Sequence, residues 1–285
     1  MEERMKAAVL YGIGDLRVVE VEVPRITSGE ALIRVKTTGV CGSDIPRVMT
    51  RGAYHFPIVP GHEISGEVYR LGGDMELRKT TEPTAVALHA IRRAGVDAGE
   101  RVAVLGAGPV GVIAAQWARI LGAEEIFLVD LFQERLKVAE ALGFRCINAS
   151  RENPVERILQ ETDGLGVDVC LEAAGAPETF KQSIQMTRKL GKVVFMGNIS
   201  DDLTLPQEVV SSILRKELVI YGSWNSSFTS LPVNEWTTTL DFMASGRLKV
   251  EPLISHRFVV EEAPRAFDMM YQKREFFNKV LFVFD

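Results

Sequence analysis

Cys41, Ser43 and Asp44 stand together in the run Gly39-Val-Cys-Gly-Ser-Asp44, and the pair His62-Glu63 follows Gly61. Glu82 precedes Pro83, at the start of a helical pattern. A thiolate, an imidazole and carboxylates are the donor set of a catalytic zinc that keeps one position open for water or substrate. Zinc in such a site polarises an alcohol oxygen, which makes its proton easy to lose and lets a hydride leave the carbon. Each residue alone also has a plainer reading. A lone cysteine behaves as a small core residue, and a serine beside Gly42 suits a turn. Neighbours on an extended chain point to opposite faces, so His62 and Glu63 can share one ion only if the backbone bends there or the site rearranges. Asp44 suits a role in orienting a ligand by hydrogen bonding. Arg47 and Arg51 carry guanidinium groups that match a phosphate, and they suit a solvated surface equally well.

A second set of residues points to a dinucleotide. The β-branched run Val102-Ala-Val-Leu105 ends in Gly106-Ala-Gly-Pro-Val-Gly111, and Val112-Ile-Ala-Ala-Gln-Trp-Ala-Arg119 then reads as a helix. Gly106 allows a sharp turn off the strand, Gly108 removes a side chain where a pyrophosphate must approach, and Gly111 permits close helix packing. Pro109 and Val110 open a helix whose free N–H groups and positive dipole end favour phosphate. A further strand, Glu125-Ile-Phe-Leu-Val-Asp130, ends in an acid 19 residues after Gly111. An acid there accepts hydrogen bonds from the adenosine ribose and favours NAD over NADP. No arginine follows it directly, only Leu131-Phe132, and Arg135 is grouped with the cofactor residues. Methyltransferases and flavoproteins also use glycine-rich first turns, so the metal-ligand residues carry part of the NAD reading.

The elements that must position these residues fall into two kinds. Short alternating runs at Lys6–Tyr11, Leu16–Val23, Glu30–Lys36 and Ser65–Tyr69 predict β-structure, with irregular glycine-rich stretches at Thr38–Asp44 and Pro57–Gly66. From Pro83 onward, strands and helices alternate as in a doubly wound parallel sheet. The strands are Arg101–Leu105, Glu125–Val129, Arg145–Asn148, Val167–Glu172, Lys192–Met196 and Glu217–Tyr221. Helices are expected at Gln133–Leu142, Pro154–Thr162 and Glu178–Lys189. The tail returns to a strand, a helix over Glu261–Arg274 with Phe267, Met270 and Tyr271 on its core face, and a closing strand Lys279–Phe284. Residues 1–85 and 252–285 would form one β-rich domain and residues 86–251 a dinucleotide-binding domain, with substrate meeting cofactor in the cleft between them.

A net charge of −5 among 285 residues gives no electrostatic footprint for nucleic acid. No apolar run is long enough to span a bilayer, and Met-Glu-Glu-Arg-Met-Lys lacks a signal-peptide core. Cys41, Cys146 and Cys170 are too few and too scattered for a disulfide framework, so a reduced, cytoplasmic protein is expected. Cys146 and Cys170 read as buried strand residues, and His55, His89 and His256 attract no metal role.

Gly39-Val-Cys-Gly-Ser-Asp44, Gly61-His-Glu63, Glu82-Pro83 with Ala87-Leu-His-Ala90, and Gly106-Ala-Gly-Pro-Val-Gly111 resemble the zinc-dependent medium-chain dehydrogenase/reductase family, in its sorbitol dehydrogenase-like branch. Cys41-Gly-Ser-Asp-Ile-Pro-Arg47, Leu214-Arg-Lys-Glu-Leu218, Gly222-Ser-Trp224 and Glu251-Pro-Leu-Ile-Ser-His256 are most similar to its galactitol-1-phosphate dehydrogenases. The resemblance implies a GroES-like catalytic domain plus a Rossmann domain, one catalytic zinc, NAD, and oxidation of a polyol or sugar phosphate. It implies Cys41, His62 and Glu82 as zinc ligands, Glu63 as a further candidate, and Ser43 as the first group of a proton relay. A homodimer or homotetramer, paired along the last strand of the sheet, is implied in the same way. A zinc-free reductase of the same family would have no use for these ligands, whereas an NAD-binding protein with a truncated catalytic domain would keep the Rossmann turn alone.

The chain departs from the family between Val68 and Glu82. Several dozen residues are absent there, among them further strands of the first domain and a four-cysteine lobe for a structural zinc. The GroES-like domain is therefore expected to be incomplete, with exposed strand edges, and Glu82 is expected to sit away from Cys41 and His62 if closure fails. The residues fit a natural deletion and a longer protein from which the stretch is missing equally well.

Overall fold

In chain order the elements are β1 (Arg4–Gly12), β2 (Asp15–Glu22), β3 (Ala31–Gly39), the short helix α1 (Asp44–Pro46) running into a π turn (Arg47–Arg51), β4 (Glu63–Leu71) and α2 (Glu82–Ala94). Then come β5 (Arg101–Leu105), α3 (Pro109–Ile120), β6 (Glu125–Asp130), α4 (Gln133–Ala141), β7 (Arg145–Asn148), α5 (Pro154–Glu161), β8 (Val167–Glu172), α6 (Pro177–Met186) and β9 (Thr187–Phe195). The last elements are α7 (Gln207–Lys216), β10 (Val219–Gly222), α8 (Glu235–Ala244), β11 (Ile254–Val259), α9 (Ala263–Gln272) and β12 (Lys279–Val283). This computed structural model describes residues 4–27, 30–71, 82–227 and 233–284. Most of the short bridge expected before Glu82 falls in 72–81, outside the described residues. Contacts divide the chain into Met1–Glu82 with Glu251–Asp285, and Pro83–Val250.

The second unit is a six-stranded parallel sheet in the order β10-β9-β8-β5-β6-β7. Parallel strands covered by helices on both faces are apolar along their whole length. Accordingly Val102, Ala103, Val104, Leu105, Leu128, Cys170 and Leu171 are all fully buried. The order reverses between β5 and β8, and in open α/β sheets a ligand crevice forms at that point, beyond the carboxyl ends of the strands. Helix starts follow local chemistry: Asn153 accepts from Val155 N at 3.0 Å, and Asn234 forms a capping box with Thr237.

The first unit holds two separate sheets, the β1-β2 hairpin and β11-β12-β3-β4. Its core gathers Leu10, Leu16, Val40, Val48, Phe267, Met270, Val280 and Phe282. On β4, Ile64 and Val68 are exposed, although strand residues of this type normally pack into a core.

Several elements differ from the sequence reading. Residues Asp44–Arg51 are helical, because Asp44 caps backward onto the Cys41 N–H while Val48 turns into the core. α6 stops at Met186 rather than Lys189, where Lys216 Nζ takes the carbonyls of Gln185 and Thr187 at 2.7 Å. The last strand begins at Val219, not Glu217, which adopts φ +52° to end α7. α7 is one of the helices that alternate with the strands, whereas α8, which follows the last strand, has no counterpart in the sequence reading. Tyr271, expected in the core stripe, is exposed, whereas Phe267 and Met270 are buried.

Candidate active site

Three ligand atoms converge in the first unit. One from each of Cys41, His62 and Glu63 lies within 4.8 Å of the others. A zinc ion sits about 2.0–2.3 Å from its sulfur, nitrogen and oxygen ligands, so small side-chain movements would close all three on one ion. The backbone bend anticipated between His62 and Glu63 lies one residue earlier: Gly61 takes φ +120°, and β4 begins only at Glu63. Gly39 is needed opposite, because a Cβ there would overlap the Glu63 carboxylate. Glu82 does not join that trio, but its carboxyl feels the charges of Glu63 and His62. Burial, then Glu63, pushes the Glu82 carboxyl above its usual range.

Asp44 organises the loop. Its Oδ2 accepts from Cys41 N at 3.1 Å, and Oδ1 lies 2.9 Å from Arg47 Nη1 and 3.5 Å from His62 Nδ1. Burial raises the Asp44 carboxyl, against the lowering effects of His62, the Cys41 N–H and Arg47. The Cys41 thiol is also raised by burial, while the Ser43 hydroxyl, donating to Sγ at 3.3 Å, opposes this. A coordinating thiol is deprotonated by the ion itself, so a thiol raised by burial suits a metal better than a free nucleophile. Arg47 thus has an internal partner, whereas Arg51 is exposed at the end of the π turn.

Lys279 was not anticipated. Its Nζ donates to both Glu63 oxygens, at 2.9 and 2.8 Å, and to Val40 O at 3.2 Å. Nothing local in the sequence signals it, since the lysine lies 216 residues beyond Glu63.

The second unit holds the dinucleotide turn. Gly106 adopts φ +107°, and a Cβ at Gly111 would overlap the Gly106 carbonyl oxygen. A Cβ at Gly108 would meet nothing within 4 Å, so the space above the turn is open. Gly108 is the N-cap of α3 and supplies no side-chain cap; Pro109 follows as the first helical residue, and Val110 is half-buried beside it. The first N–H groups of α3 are therefore free to meet phosphate. Asp130 accepts from Ala107 N at 2.8 Å and Phe132 N at 2.9 Å, which locks its carboxylate at the end of β6. Arg135 Nη1 lies 3.6 Å from Asp130, and its Nε is buried without a hydrogen-bond partner. An acid held by the turn and a buried guanidinium N–H left over fit the adenosine end of a dinucleotide.

The remaining candidates are structural. His89 Nδ1 lies 2.9 Å from Glu235, and His256 stacks on Phe258. Burial raises the Cys146 thiol to about 12 and the Cys170 thiol further.

Comparison with known proteins gives the family. The profile described as "Zinc-binding dehydrogenase" matches residues 109–245, and that of the "Alcohol dehydrogenase GroES-like domain" matches residues 27–118. The chain belongs to the zinc-type alcohol dehydrogenases. As such it is an oxidoreductase acting on CH–OH groups, with a GroES-like and a Rossmann domain, and zinc and NAD are the cofactors that go with it. Among relatives, galactitol 1-phosphate 5-dehydrogenase of Escherichia coli (strain K12) is 27% identical over 331 positions, spanning 92% of this chain and 95% of that protein. Sorbitol dehydrogenase of Macaca fascicularis is 28% identical, covering 91% of each. The crystal structure of galactitol-1-phosphate dehydrogenase from Escherichia coli superposes with a TM-score of 0.86 at 26% identity, over 98% of this chain and 100% of that one. An alignment of 331 positions is longer than this 285-residue dehydrogenase, so the relative carries a block that is absent here. No helix among the described residues is long and apolar enough to cross a membrane.

Proposed function

We propose that the chain oxidises a secondary alcohol of a polyol or polyol phosphate, of the galactitol-1-phosphate or sorbitol type, with NAD as hydride acceptor. The observation that carries this reading is the convergence of Cys41, His62 and Glu63 within 4.8 Å in a chain that also builds a dinucleotide turn. Cys41, His62 and Glu63 would hold the zinc, with Glu82 as a fourth ligand and second carboxylate, or as the acceptor for a water beside it. Bound there, zinc supplies Lewis acidity to the substrate oxygen, and NAD supplies the hydride-accepting carbon.

The protein's own groups do the rest. Asp44 orients Cys41 and His62 through its two oxygens, and Lys279 holds Glu63 at the mouth of the trio. The Ser43 hydroxyl accepts the substrate proton and passes it outward. Gly106, Gly108, Pro109, Val110 and Gly111 take the pyrophosphate, while Asp130 and Arg135 take the adenosine ribose. Exposed Arg51, with Arg47 behind it, binds a substrate phosphate where there is one. The relatives' names favour a phosphorylated or free hexitol, and a homodimer or homotetramer is the expected assembly.

Metal analysis of the purified protein, followed by NADH formation with galactitol 1-phosphate and sorbitol, tests the reading. The expected result is about one zinc per chain, turnover with one of the two polyols, and loss of both zinc and turnover in Cys41→Ser while NAD still binds. NAD binding with neither zinc nor turnover would leave a dinucleotide-binding protein whose truncated first domain has lost its chemistry.

A further inference from the structure

Glu172 ends β8 and is completely buried, an expensive place for a carboxyl group. Its Oε1 accepts from Ala174 N at 2.9 Å, Gly175 N at 2.7 Å and the Thr179 hydroxyl at 2.7 Å. Its Oε2 is buried with no hydrogen-bond partner of its own and lies against Gly197, where a Cβ would meet it at 2.5 Å. The backbone around it is drawn in from two strands. Met196 N and Gly197 N donate to the Glu172 carbonyl at 3.0 and 2.9 Å, and Ser200 N donates to Gly175 O at 2.9 Å. A Cβ at Gly175 would overlap the Asn198 carbonyl oxygen. The carboxyl group thus fixes the loop after β8, and the loop after β9, bonded to that loop's backbone, packs at Gly197 against its free oxygen.

Those two loops lie on one side of the switch point. The pyrophosphate turn and Asp130 belong to β5 and β6 on the other side. A doubly wound sheet binds one nucleotide on each half, across the reversal of strand order. With the adenosine half over β5 and β6, the loops after β8 and β9 are left to receive the nicotinamide half. We infer that Glu172 is a positioning residue for the nicotinamide half of NAD, its carboxyl fixing residues 174 and 175 as a preformed floor on which residues 196–198 pack. The inference rests on the proposed function only in requiring NAD at this turn. Burial raises the Glu172 carboxyl above its usual range, opposed by Thr179 and the loop N–H groups, as a caged carboxyl should show.

The test separates the two halves of the cofactor. NAD and ADP-ribose, which lacks the nicotinamide ring, are titrated calorimetrically into wild type, Glu172→Gln and Thr179→Val, with melting curves to establish that each variant is folded. Glu172→Gln is expected to bind NAD about tenfold more weakly, the size of one hydrogen bond to a charged group, and ADP-ribose within about twofold of wild type. Thr179→Val, which removes a single donor to Oε1, should show the same split at smaller size and serves if the glutamine variant does not fold. An equal loss of both ligands would make Glu172 a general prop of the unit and overturn the inference. Unchanged NAD affinity in both variants would overturn it as well. If wild type bound neither ligand, the NAD reading itself would fall, and the inference with it.

Discussion

Lys279 shows how much at this site depends on a single side chain. It gives Glu63 its only cationic partner among the described residues, and both side chains are largely shielded from water, at 14% and 7% exposure. Removing one member of a buried pair leaves the other charged and unpaired. Lys279→Met is therefore expected to destabilise the metal-free protein by about 3 kcal/mol in urea denaturation, and added zinc should restore part of the loss by taking up Glu63. A midpoint unmoved by the substitution would mean that water already satisfies that carboxylate. Asp130 is the other decisive residue, because its oxygens are fixed by Ala107 N and Phe132 N at the end of β6, where the proposed function puts the ribose. Asp130→Ser should lower the NAD-to-NADP ratio of kcat/KM by about tenfold, and unchanged selectivity would refute the ribose assignment.

At the scale of elements, the turn between β5 and α3 tolerates no added volume at its last glycine. A Cβ at Gly111 would overlap Gly106 O, so either the helix or the turn must shift. Gly111→Ala is expected to cost about 1–3 kcal/mol of stability and to weaken NAD binding in a titration of the folded variant. Asp168 on β8 ties that strand to its neighbours, accepting from Arg101 N at 2.7 Å and pairing with Arg188. Its carboxyl is raised by burial but more than compensated by the Arg101 N–H and Arg188, and ends below its ordinary 3.8. The folded state thus holds its proton more weakly than the unfolded chain, and the stabilisation is present above pH 3.8 and fades as pH falls further, through the folded value. Asp168→Asn should be less stable than wild type from neutral pH down to about pH 4, and the gap in melting temperature should close below that.

For the molecule as a whole, β10 is one edge of the six-stranded sheet, with Val219 and Ile220 exposed on it and Trp224 exposed just beyond its end. An apolar sheet edge of this kind recruits a partner strand. Light scattering is expected to report about 63 kDa, twice the 31.6 kDa chain, and Val219→Lys should return the mass to that of one chain. A wild-type protein of one chain's mass at micromolar concentration would dismiss the edge as the dimer contact.

Periodicity and punctuation in the sequence determined the alternating strands and helices of the second unit, because each βαβ repeat is built from near neighbours in the chain. The turn glycines and Asp130 could be read for the same reason: their spacing along 25 residues, Gly106–Asp130, is local. The chemistry of Cys41, His62 and Glu63 was visible as residue types, with the condition that the backbone bend near His62; that the bend falls at Gly61 and brings the three together was decided by the fold. Lys279 and the cage around Glu172 left no mark at all in the sequence pattern. The first depends on strands from distant parts of the chain, with β12 laid against β3, and the second on the path of the backbone after β8, which folds back onto the side chain. Which charge stands next to which is set by strand order and packing, and those are decided by burial of the whole chain rather than by any stretch of it.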